Sequence, residues 1–187
     1  MNTIETIDKL SKKHTDIIEQ IVNLWHQEVL FSWRWWFGVI ISILAWLFWI
    51  KYHNKKSRYR LLTAGFFVIA ISLILDSIGV QIGLWSYRYE VIPFIPAYLP
   101  YDLALMPVVI MSLIQFKPNY SLIKKAIAFG FLTALIGEPL IVFTDIYNPI
   151  KWRYFYSVPI YIMIYLIAHW LTTRTSFEEI KKPKESK

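Results

Sequence analysis

Three carboxylic acids stand where carboxylic acids are costly. Asp76 lies inside an apolar run over 61–84, Asp102 inside one over 96–116, and Glu138 inside one over 121–143. An acid in hydrocarbon needs a partner, a proton or a wet cavity. A helical rise of about 1.5 Å per residue puts Asp76 and Glu138 each about 22 Å from the basic end of its run, and Asp102 about 21 Å from the basic end of its own. All three therefore fall in one layer, in the outer third of a hydrocarbon core about 30 Å thick. Carboxyls brought together there share a proton more readily than both ionise, which is the physical basis of a proton relay, a cation site or an acid catalyst. Tyr101 offers Asp102 a hydroxyl, and Arg88 and Arg153, in the segments after two of the runs, are the candidate counter-charges. The candidate binding set is thus Asp76, Asp102, Glu138, Tyr101, Arg88 and Arg153. The competing reading of the same residues is plain bracing, with arginine–carboxylate pairs locking helix ends.

Holding three acids at one level demands several crossings. Of 187 residues, 56% are hydrophobic and 18% charged, and the apolar ones come in long blocks. Ordinary soluble domains carry about 25% charge spread over their surface, so the blocks read as membrane spans. The expected fold is an all-α polytopic bundle of five transmembrane helices, near Ser32–Ile50, Leu61–Leu84, Pro96–Phe116, Ser121–Phe143 and Phe155–Leu171. An amphipathic helix precedes them, with Ile4, Ile7, Ile17, Ile18, Ile21 and Leu24 at helical spacing among charged residues. The parts are then 1–31, an amphipathic segment lying on the bilayer or docking a protein partner; 32–172, the five-helix domain; and 173–187, a basic tail.

Charge sets orientation. The 51–60 loop holds five Lys or Arg, and the 117–125 loop and the tail are basic as well. Five crossings place all three on one side, which the positive-inside rule makes cytoplasmic. The N-terminus is then outside a plasma membrane, with the 85–95 and 144–154 loops. The formal charge of +7 is explained by topology and anionic lipid, so no nucleic-acid partner is expected. With no cysteine, and histidines at unsuitable spacing, neither a metal site nor a cofactor is expected. The polar first thirty residues do not read as a cleavable leader.

The second and third spans look like the fourth and fifth. Asp76 precedes Trp85-Ser86-Tyr87-Arg88-Tyr89 and a proline-started helix; Glu138 precedes Trp152-Arg153-Tyr154-Phe155-Tyr156 and another. Two hairpins related by an axis along the membrane normal would give this pattern. Small residues flank the acids: Ser72, Gly79 and Gly83 around Asp76, and Gly130, Ala134 and Gly137 before Glu138, a composition that lets helices approach closely.

Leu84-Trp85-Ser86-Tyr87, Leu99-Pro100-Tyr101-Asp102, Gly137-Glu138-Pro139 and Trp152-Arg153-Tyr154 resemble an uncharacterised family of small five-helix membrane proteins from endospore-forming Gram-positive bacteria. That resemblance runs over most of the chain and implies topology and host without an activity. A fainter resemblance is to lycopene-cyclase domains, which protonate a polyene; Pro100-Tyr101-Asp102 and Glu138-Pro139 lack their double acid. The expected function is a multi-pass membrane protein, not an enzyme, with an acidic pocket open to the outer face for a cation, a proton or a small polar solute. The alternatives are a membrane enzyme acting on an isoprenoid or lipid by carboxylic-acid catalysis, and a structural subunit of a membrane complex.

Overall fold

The computed structural model describes residues 2–175; most of the basic tail lies outside the described residues. The chain runs α1 (Thr3–Leu24), α2 (Trp33–Tyr52), α3 (Arg58–Gln81), β1 (Trp85–Tyr87), α4 (Pro100–Gln115), α5 (Leu122–Phe143), β2 (Tyr147–Pro149) and α6 (Tyr154–Thr172). Among the described residues, four helical stretches are long and apolar enough to cross a membrane: α2, α3 with its leading turn, α5 and α6. The expected count of five is not reached by length, because α4 rises only about 24 Å. It starts at Pro100 rather than Pro96. A proline is tolerated in a first turn, where its missing N–H has no helical partner to lose. Residues ahead of it run irregularly.

Local chemistry explains the helix ends. Asn2 caps α1, accepting from Ile4 N, while Glu5 reaches back to Asn2 N. No residue of α1 is buried, and Ile4, Ile7, Leu10, Ile17, Ile21 and Leu24 are all exposed. A wide turn at Trp25–Val29 and a left-handed Phe31 (φ 62°) redirect the chain into α2, which Ser32 caps. The outward face of α2 is a continuous apolar stripe that includes Ile40, Ile43, Leu44 and Leu47. Such a surface is unsuited to water and compatible with lipid.

The bundle core is built by α3, α4 and α6, with α5 packed along α6. Leu61, Ala64 and Val68 bury against Ile110, Met111 and Ile114, and Gly65 leaves room for the Met111 side chain. Gly130 lets the α6 backbone and Ile162 come close, as its small size predicts. Gly137 does not serve that purpose: a Cβ there would meet nothing nearer than 3.9 Å. Two wide, π-type turns interrupt the helices, at Pro100–Leu105 and Thr133–Gly137. Pro107 and Pro139 follow these turns and supply no N–H to the helical ladder. The carbonyl of Leu103, four residues before Pro107, is taken instead by the Trp46 indole of α2 at 3.0 Å. Turns of this type recur at functional sites; Asp102 lies within the first, and Glu138 directly follows the second.

At one end of the bundle the chain repeats itself. β1 and β2 pair antiparallel with Ser86 opposite Asn148, residues 62 apart. The same interval separates Asp76 from Glu138, and Gly83 from Asp145, the two left-handed residues (φ 71° and 63°) that turn the chain into each strand. Arg88 N donates to Ile146 O, and Ile150 N donates to Leu84 O; these bonds exchange under the same interval. A local two-fold axis therefore passes through the Ser86–Asn148 pair. The equivalence is not the one the Trp-x-Tyr-x-Tyr strings suggest, since Trp85–Tyr87 matches Tyr147–Pro149. The Trp152 string enters α6, and its indole lies against the Trp85 indole, with ring centroids 5.0 Å apart.

Candidate functional site

Asp76 sits on α3 about one and a half turns before the chain leaves the helix, and is buried. The Trp85 indole donates to its Oδ1 at 3.0 Å and the Tyr87 hydroxyl donates to the same oxygen at 2.8 Å. The backbone N–H of Tyr98 donates to Oδ2 at 3.1 Å. The first two donors come from β1 and the third from the segment leading into α4, so this carboxyl knits three pieces of chain together. Gly79 is what admits Trp85, because a Cβ at that position would overlap the indole ring.

Asp102, only 2% exposed, lines the same cavity as Asp76. Two carboxyls in that relation need a proton or another donor. Its Oδ2 accepts no hydrogen bond. Across the cavity the Tyr161 hydroxyl of α6 donates to Glu138 Oε1 at 2.9 Å, while Oε2 has no partner. The Tyr101 hydroxyl lines the same cavity, buried and without a hydrogen-bond partner. Trp152 donates to Ser157 Oγ at 2.8 Å, next to Glu138.

The second helices of the two hairpins repeat with an interval of 59. Pro100 corresponds to Pro159, Tyr98 to Ser157 and Asp102 to Tyr161. Each half thus sets one acid on its first helix, Asp76 or Glu138, against one polar side chain on its second, Asp102 or Tyr161. Tyr161 was not foreseen from its place in an apolar run. Its position two residues after Pro159, as Asp102 follows Pro100, is the signal that could have found it.

The three acids line one cavity of about 210 Å³, walled by aromatic and aliphatic side chains. Among the described residues, no Lys, Arg or His lines it. Arg88 and Arg153, expected as counter-charges, are exposed, and neither pairs with an acid among the described residues. The cause is local. Each acid is reached through the inward face of a strand or helix start, and the arginines occupy positions facing away. The ion pair present among the described residues is Arg34 with Asp145, at 2.7 Å, joining the start of α2 to the turn before β2. It is reinforced by Arg34 Nε donating to Thr144 O at 2.7 Å.

Glu90, in the loop after β1, is half-buried and has no ion pair with Arg88. Burial, and then the charge on Asp76, push its carboxyl up to about 8. A carboxyl whose folded value is raised contributes most stability in acid and loses it as pH climbs past the unfolded value. Thermal stability of the wild type is therefore expected to fall between about pH 4.5 and about pH 8, with a smaller fall in Glu90→Gln. Parallel melting profiles for the two proteins across that window would contradict this.

Fold and site together define a helical, membrane-compatible bundle with a carboxyl-bearing cavity at the end closed by a strand pair. No family model, curated protein or solved structure matches the chain.

Proposed function

We propose that this is a five-span plasma-membrane protein whose acidic cavity, open to the outer face, binds a small cation or polar solute without turning it over. The observation that carries the reading is the meeting of three carboxyls from three helices around one cavity with no basic side chain among its walls. Bracing by arginine loses its support, since the candidate arginines lie elsewhere. In this reading α4 completes the fifth crossing. The irregular segment before it is tolerated at membrane depth because protein groups satisfy its backbone, as Asp76 does for Tyr98 N. The apolar face of α1 then rests on the outer leaflet as an amphipathic anchor. The basic 51–60 and 117–125 loops and the tail face the cytoplasm. Membership of the five-helix family that the chain resembles, from endospore-forming Gram-positive bacteria, is part of this proposal.

Acid catalysis on an isoprenoid is less well supported. A cavity of about 210 Å³ is smaller than the roughly 300–1,000 Å³ of pockets that take drug-sized ligands, and a polyene is larger still. The test is sided labelling of the cysteine-free chain. Glu138→Cys in intact cells is expected to react with a membrane-impermeant thiol reagent, while Val68→Cys, in the core, stays unmodified. A reporter fused after Lys187 is expected to work only in the cytoplasm. Labelling of Glu138→Cys solely in inverted vesicles, or an extracytoplasmic reporter signal, would overturn the reading.

A further inference from the structure

We propose that the ligand of this cavity is a small organic ammonium ion. The inference rests on the binding function proposed above and names its substrate class. Three features converge on it.

The first is charge and hydrogen-bond balance. Asp102 Oδ2 and Glu138 Oε2 are buried acceptors without donors, one in each half of the local two-fold. The cavity offers carboxyls and no Lys, Arg or His to answer them. The nearby Arg34 is committed to Asp145 and the Thr144 carbonyl. The Tyr98 and Tyr101 hydroxyls, also buried there without partners, can donate but carry no charge, so a ligand that brings positive charge supplies what the walls lack. The N–H groups of a primary ammonium, or the hydroxyl of a choline-sized quaternary one, also provide a donor for the carboxyls of the cavity.

The second is the character of the walls. Trp85, Tyr87, Tyr147 and Trp152 enclose the same space as the acids. Trp85 meets Trp152 edge to face, and Tyr87 lies against both Tyr98 and Tyr147. Aromatic faces attract a cation through the ring quadrupole, and enclosures of this kind are suited to alkylated ammonium groups. A bare calcium ion asks for six to eight oxygen ligands in a close shell, which a mostly apolar wall does not offer. An alkylated ammonium instead matches apolar contact over most of its surface and charge at one end.

The third is size. An engineered cavity of about 150 Å³ holds benzene, so about 210 Å³ suits a solute of about eight non-hydrogen atoms. That range covers short primary amines and choline-sized quaternary amines.

The test uses the intact protein in lipid nanodiscs, with choline chloride as the probe. Its uncharged carbon isostere, 3,3-dimethyl-1-butanol, and sodium and potassium chloride serve as comparators. Trp85 and Trp152 line the cavity, so intrinsic fluorescence reports occupancy. Choline is expected to give a saturable change, with the isostere weaker by about tenfold or more. The choline response is expected to weaken by a similar factor in Glu138→Gln and to persist in Arg88→Gln, a surface change. The wild-type comparison depends on no variant folding. Equal binding of choline and its isostere would overturn the ammonium class while leaving a solute pocket. Saturation by sodium or potassium with no choline response would overturn the organic class while leaving a cation site. Silence of all probes would overturn both this inference and the function it rests on.

Discussion

Asp76→Ala is expected to prevent stable folding, whereas Glu138→Gln is expected to leave a folded protein. The two acids occupy equivalent places in the two hairpins, but their surroundings differ. Asp76 accepts from the Trp85 indole, the Tyr87 hydroxyl and the Tyr98 backbone N–H. Alanine leaves all three donors unanswered in a buried site. An orphaned buried donor costs about 1–3 kcal/mol, so the loss is about 3 kcal/mol or more, a large part of typical domain stability. Asp76→Asn is intermediate, since its amide retains one acceptor oxygen but turns an N–H₂ toward a donor. Glu138 accepts one bond, from Tyr161, and its other oxygen is free. An amide in its place keeps that bond. Thermal melting of the purified variants in detergent checks the order: Glu138→Gln close to wild type, Asp76→Asn lower, Asp76→Ala lowest or absent. Equal destabilisation by Asp76→Asn and Glu138→Gln would remove the distinction between an acid that holds the strands and one left for a ligand.

Gly79→Leu carries the second large effect. A Cβ at position 79 would already overlap the Trp85 ring, and a longer side chain cannot share the space. The indole must leave, taking its hydrogen bond from Asp76 and its contact with Trp152. Overpacking typically costs about 1–3 kcal/mol, and leaving buried hydrogen-bonding groups unmatched about 1–3 kcal/mol more. Gly79→Ala is expected to do the same in milder form. Tryptophan emission provides the check, because an indole expelled from its seat beside Asp76 and Trp152 meets a more polar surrounding and shifts to longer wavelength. Gly137→Ala is the matched control. It too lines the cavity, but its Cβ would meet only atoms 3.9 Å away. Comparable loss of stability in both variants would contradict the assignment of Gly79 as the residue that seats Trp85.

The acids themselves were legible because a charge in a long apolar run has no ordinary reason to be there, and helical rise converts its position into depth. The same arithmetic gave the shared layer of Asp76, Asp102 and Glu138. What surrounds them was not legible. Tyr161 reads as one more aromatic in an apolar helix until Glu138, 23 residues earlier, is placed against it. β1 and β2 are three residues each, too short to show a strand period. Without that strand pair nothing in the sequence says that Arg88 points away from Asp76. Nearness along the chain suggested Arg88 and Arg153 as counter-charges, but direction on a strand or at a helix start decides contact. The repeat was visible in outline and misaligned in detail. Trp and Tyr strings draw the eye, whereas the true landmarks are an acid, a left-handed turn residue and a strand at fixed spacing. Gly83 and Asp145 fill the turn position with different residue types, since glycine adopts positive φ freely and aspartate tolerates it. The third span was expected from Pro96, four residues before the Pro100 start, because a proline fits either first turn and the run ahead of Pro100 is equally apolar.

The central claim is that acids from separate helices of the two hairpins face one another across a single cavity. Because the chain has no native cysteine, Asp102→Cys combined with Glu138→Cys can be bridged by a short bifunctional thiol reagent and read by mass spectrometry after proteolysis. The account predicts efficient cross-linking of that pair and none for Asp102→Cys combined with Arg88→Cys. Failure of the first pair in a folded protein, or equal bridging of the second, would contradict it.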